Sequence, residues 1–175
     1  MEKTYVGIDP GEKGFVSVQK RGKWEFFSLL ESDYVQIGEF FRRLKEENES
    51  IIAVMEDVHA IFGASAKSTF NFGFNKGLLY GLLCGFKIPL LLVPPKEWQE
   101  EMWTNSDKEY DTKTIKKKNG EVSSRKTVNP KNTSTNCCRR LFPELDLRRN
   151  TKCTKFDDNK IDSILICEYG RRKNL

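Results

Sequence analysis

The run Ile51–Met55 is apolar throughout and ends on two carboxylates, Glu56 and Asp57. A short apolar run without alternation reads as a strand buried on both faces. Such a strand is expected to lie inside a sheet, parallel to the chain's first strand. A carboxylate closing a core strand also needs a compensating partner, because burying it unpaired is costly. That partner is a lysine, a hydrogen-bond network or a metal ion.

The segments around this strand supply the rest of a sheet. Residues 3–9 alternate and are rich in β-branched and aromatic side chains, giving a first strand that ends on Asp9 in a Pro-Gly turn. FVSVQK and KWEFFSL follow as strands joined by a turn at Arg21–Lys23. SDYVQIGEFFRRLKEENES opens on a capping residue, Ser32 or Asp33, and sets Val35, Ile37, Phe40, Phe41 and Leu44 near helical spacing. After the Ile51 strand come a helix over about 66–86, a fifth strand in KIPLLLV and a short helix from PPKEWQEEMW. STNCCRRLFPEL predicts a helix stopped by Pro143, and about 157–172 predicts a last helix with a one-sided apolar face. The expected architecture is one RNase H-like α/β domain over 1–175. Its sheet has three antiparallel strands and two parallel ones, flanked by helices. Residues 104–131 are polar and lack periodicity, so they are expected to form a basic insertion or flexible loop.

Composition excludes several classes. No apolar run reaches the roughly 18 residues of a membrane span, and the N-terminus lacks a signal-peptide pattern, so a cytoplasmic location is expected. Five cysteines without C-x-x-C spacing and a single histidine, His59, argue against zinc and for free thiols. The formal charge of +5 permits a nucleic-acid partner. Its distribution is uneven: Lys113, Lys116, Lys117, Lys118, Arg125, Lys126 and Lys131 crowd one polar stretch. That stretch is either a solvated loop or an arm that tracks phosphates.

Four carboxylates fit a plain core poorly. Asp9 and Glu56 end strands expected to be parallel neighbours, which brings both to the carboxyl edge of the sheet, where α/β sites gather. Asp158 and Asp162 stand four apart on the last helix and so share a face. A set of carboxylates without histidine or cysteine suits Mg²⁺ or Mn²⁺. Two such ions clamp the attacking and leaving oxygens of a phosphoryl displacement, the chemistry of nucleases. Each residue also has a plainer explanation. Glu56 can pair with Lys76 or Lys96, and Asp157 or Asp158 can cap a helix.

The motifs VGIDPGEKG, MEDVHAIFGASAKSTFNFGFNKGLLYGLLCGFKIPLLLVPPKEW, CCRRLFPELDL and DDNKIDSILICEYGRR resemble, in order, those of the RuvC-type Holliday junction resolvases, particularly the branch common in phages and prophages. The resemblance covers most of the chain. It implies an RNase H-like fold, a homodimer, two Mg²⁺ ions per active site with Mn²⁺ as substitute, and paired symmetric nicks across a four-way junction that leave 5′-phosphate and 3′-hydroxyl ends. It puts the catalytic, metal-binding acids on Asp9, Glu56, Asp158 and Asp162. Asp157 is the rival of Asp158, whose i,i+4 spacing to Asp162 favours it. The histidine that some relatives carry just past the last aspartate is replaced by Ser163 and Ile164. No motif transfers to 104–131.

The DNA-contacting set expected from these readings is His59, Phe62, Lys67, Lys76, Lys96, Lys116, Lys117, Lys118, Arg125 and Lys126. His59 and Phe62 stand on the loop that in the family reaches the junction centre. Gly73, Gly77, Gly81 and Gly85 recur every four residues on one helix. Glycine costs about 1 kcal/mol per helical position relative to alanine, and a closely approaching partner helix would explain the repeat. The main rival, an actin-like ATPase or sugar kinase, should carry a second glycine-rich phosphate loop and an adenosine motif. Neither is found, so no nucleotide cofactor is expected. A broader branched-DNA debranching enzyme or an RNA–DNA hybrid nuclease of the same fold is the alternative activity.

Overall fold

A computed structural model describes residues 3–58, 65–116 and 122–175. Five strands form the main sheet: β1 (Thr4–Asp9), β2 (Phe15–Lys20), β3 (Lys23–Ser28), β4 (Ile51–Glu56) and β5 (Leu90–Val93), in the order β3-β2-β1-β4-β5. β1, β2 and β3 are antiparallel neighbours, and β4 and β5 extend the sheet in parallel with β1. This is the RNase H-like sheet expected above. The β2–β3 turn uses Arg21 and Gly22 at positive φ, as a two-residue hairpin requires.

Helices cover both faces. On one side lie α1 (Tyr34–Glu46) and α2 (Ala66–Gly85). Asp33 caps α1 by accepting from the Gln36 N–H, and the Gln36 side chain returns a bond to the Asp33 N–H. Phe40, Phe41 and Leu44 of α1 and Leu79 and Leu83 of α2 pack on Val6, Ile8, Val16 and Met55. On the other side lie α3 (Pro95–Met102), α4 (Pro130–Leu141) and α5 (Asp158–Arg172). Trp98, Cys137, Cys138, Ile161, Ile164 and Leu165 form the second core with Val54. The five cysteines are free.

α5 lies directly on β1, and Gly7 allows that approach. A Cβ at Gly7 would stand 2.2 Å from the Ser163 carbonyl oxygen and 2.3 Å from the Cys167 nitrogen, both backbone atoms that cannot swing aside. Gly7→Ala is therefore expected to lift α5 off the sheet, at a cost of about 3 kcal/mol or more. The midpoint of urea unfolding reads this loss directly, and an unchanged midpoint would contradict the packing.

The stretch 104–131 departs from expectation. It holds a two-stranded sheet, β6 (Tyr110–Lys116) with β7 (Val122–Val128), separate from the main sheet. YDTKTIK and VSSRKTV carry Tyr, Thr, Ile and Val, so strand propensity is present. The apolar alternation is missing because the hairpin covers no core. α4 also begins earlier than expected, at Pro130 in its first turn with Asn129 as cap.

Candidate active site

Asp9 and Glu56 close adjacent parallel strands, with Ile8 opposite Met55 in the register. Their carboxylates therefore reach the same sheet edge. Asp162 comes to them from α5, one turn inside its N-terminus. All three are shifted upward, chiefly by burial. Burial pushes the Asp9 carboxyl up to about 7, and the charges of Glu56 and Asp157 add to it. The Gly11 N–H, donating to Asp9 Oδ1 at 3.1 Å, and the Arg149 guanidinium act in the opposite direction. Burial raises Asp162 well above the usual carboxylate range, and Asp9, Glu56 and Asp158 raise it further against a bond from Ser134. Burial also raises Glu56, opposed by the Trp98 indole and Lys76.

Neighbouring side chains fix the acids. The Trp98 Nε1–H donates to Glu56 Oε1 at 2.9 Å from a fully buried ring. Lys76 pairs with Asp57 at 2.5 Å and donates to the Val58 carbonyl, so the lysine closing β4 belongs to Asp57 and not to Glu56. At the α5 N-terminus the two aspartates divide. Asp157 is the cap, accepting from the Lys160 N–H at 3.0 Å, and is paired with Arg149 at 2.7 Å. Arg149 also bonds Ser28 Oγ and the Lys13 carbonyl and lies over the Phe15 ring, tying the start of α5 to the loop after Asp9. Asp158 instead points to Lys131 in the first turn of α4, 2.7 Å away.

The donor set is oxygen only, which fits a hard divalent cation. Among the described residues no group of three or more His, Cys, Asp or Glu side chains closes around one point tightly enough to hold an ion. Asp158 is occupied by Lys131. The fit is thus one of donor chemistry and sheet-edge placement. A bound cation would draw the three together and compete with Lys131 for Asp158.

The expected DNA-contacting residues scatter. Lys67 is exposed at the start of α2. Lys96 is exposed beside Glu100, 3.7 Å away. Lys76 is held by Asp57. Arg125 and Lys126 are exposed on β7, and Lys116 ends β6. His59, Phe62, Lys117 and Lys118 lie outside the described residues. Sequence reasoning missed Trp98, Ser134 and Arg149 as supports of the acids and did not bring Lys131 to them. A helix start at Pro130 was the available signal for Lys131.

No family model and no curated protein sequence matches the chain. Solved structures do match. Thermus thermophilus RuvC in complex with a Holliday junction substrate aligns with a TM-score of 0.57 and 10% identity, over 98% of this chain and 96% of that one. A second Thermus thermophilus RuvC structure aligns with a TM-score of 0.50 and 12% identity, over the same 98% and 96%. At such identity the likeness is one of fold, and over nearly its whole length this chain has the RNase H-like fold of those RuvC structures.

Proposed function

We propose that the protein is a metal-dependent endonuclease that resolves four-way DNA junctions by paired symmetric nicks. The observation that carries this is the convergence of Asp9, Glu56 and Asp162, with Asp158 alongside, at one sheet edge, all three raised by burial and Asp9 and Asp162 raised further by neighbouring acids. β1 pairs with β4 and packs against α5, so Asp9 is the acid that two ions would share. Glu56 would serve one ion, and Asp158 and Asp162 the other. Mg²⁺ or Mn²⁺ there would supply a nucleophilic water and stabilise the leaving 3′ oxygen. The chain's own part is to set ligand geometry: Trp98 orients Glu56, the Gly11 N–H orients Asp9, and Arg149 fixes the start of α5. The whole-length fold likeness to a RuvC bound to a Holliday junction supports the substrate.

Paired nicks require two sites, and α2 offers a face for a second copy. Leu79 and Leu83 are the buried residues of this helix, Phe70, Phe74 and Tyr80 are 72%, 47% and 48% exposed, and among the described residues nothing beyond the helix's own neighbouring backbone lies within 4 Å of the Cβ position of Gly73, Gly77, Gly81 or Gly85. A homodimer through α2 would bury these rings and use the glycines for close helix approach.

The test is incubation with a synthetic four-way junction and a matched linear duplex, with Mg²⁺ or EDTA, and mapping of the cuts. Symmetric nicks confined to the junction and lost in EDTA are expected. Equal cutting of the duplex or of an RNA–DNA hybrid would turn the assignment to a broader nuclease, and no cutting with any divalent metal would overturn it.

A further inference from the structure

Residues 110–128 carry six basic side chains against two acids, a net +4 out of the chain's +5. The described ones among them form the β6–β7 ribbon, and none whose burial is described is buried or belongs to either core. Its register sets Lys113 directly opposite Arg125 and Thr112 opposite Lys126. Like charges across a strand pair are destabilising, and an isolated two-stranded hairpin is marginal. An anion along the ribbon relieves both.

The root of the ribbon is held firmly. The Asn129 N–H donates to the Glu109 carbonyl at 2.8 Å, and its side chain bonds both Asp111 carboxylate oxygens. Asn132 bonds Glu109 at 2.9 Å, and Arg140 grips the buried Asp107 through two bonds of 2.8 Å. These tie the hairpin to α4, whose first turn places Lys131 against Asp158.

We infer that the β6–β7 hairpin is a grip for the duplex arm next to the cut, contacting its phosphates through Arg125 and Lys126. This rests on the nuclease reading. Seven residues per strand span about 23 Å, some two-thirds of a DNA turn. Duplex DNA presents closely spaced phosphates and a major groove wide enough for a two-stranded ribbon.

Two variants test it: Arg125→Glu combined with Lys126→Glu, and excision of 110–128 with Glu109 joined to Asn129 through two glycines. Dissociation constants for a four-way junction and a linear duplex are measured in EDTA over a range of salt, with thermal unfolding as the fold control. The double variant should bind both DNAs about tenfold or more weakly and lower the slope of log K against log salt by about 2. Excision should lower it further. If the excised chain does not fold, the double variant decides alone. Unchanged affinity and slope in a folded double variant overturn the grip, even if the wild type cuts junctions. A wild type that binds DNA with the full slope but cuts nothing overturns the nuclease and leaves the grip standing.

Discussion

Asp9→Asn and Asp162→Asn are each expected to lower junction cutting by about a thousandfold or more while the junction is still bound. An amide keeps the shape of the carboxylate but removes the charge on which cation binding depends. Losing several kcal/mol of transition-state stabilisation corresponds to such a factor. Asp9 lies centrally, coupled to both Glu56 and Asp162, so its loss should resist rescue by excess Mg²⁺ or by Mn²⁺. Single-turnover cutting at saturating protein, alongside gel-shift binding, separates the two effects. Asp158 and Asp157 supply the internal control. Asp158 is 39% exposed and, among the described residues, is paired with Lys131, so Asp158→Asn should cut poorly yet fold normally. Asp157 caps α5 and holds Arg149, so Asp157→Asn should lose stability first, at a cost of about 1–3 kcal/mol. If the two swapped behaviour, Asp157 would be the ligand and the division made at the helix start would fail.

The acids were legible because each ends an element whose type the sequence declares. Ile51–Met55 is too apolar to be anything but buried, and β1 alternates clearly, so their last residues fall at one edge once the strands are parallel neighbours. The i,i+4 pair on α5 needed only helical spacing, and the structure adds that Asp157 is the cap. The supports were illegible for the opposite reason. Trp98 reaches Glu56 across 42 residues of chain, and Arg149 reaches the loop after Asp9 across 136. Such contacts follow from how layers stack and leave no local pattern. The hairpin was missed because period-2 apolar alternation marks a strand lying on a core, and β6 and β7 lie on none. What its sequence did display was charge, which spoke of a partner and not of a fold.

The metal-free protein is expected to be more stable at pH 5 than at pH 8. The folded Asp9 carboxyl sits at about 7 against an ordinary 3.8, so the folded chain keeps a proton over a range in which the unfolded chain has released it. Stability therefore falls as pH rises from about 4 to about 7, by up to about 4 kcal/mol for this group alone. Asp162 and Glu56 shift in the same direction and steepen the fall. Asp107 works the other way. Its bonds from Arg140 hold it at about 2, so its contribution is present above about 4 and is lost only as pH drops toward 2. Together they place the metal-free maximum in the mildly acidic range. Thermal unfolding in EDTA from pH 4.5 to pH 8 reads the slope. Asp9→Asn should make it shallower and raise the pH 8 midpoint by up to about 8–16 °C, at the 2–4 °C per kcal/mol usual for a chain of this size. Mg²⁺ should stabilise the wild type more as pH rises, because protons and the cation compete for the same oxygens, and should do little for Asp9→Asn. A wild type whose metal-free midpoint climbs from pH 5 to pH 8 would mean that the carboxylates at the sheet edge are neither buried nor mutually repelling.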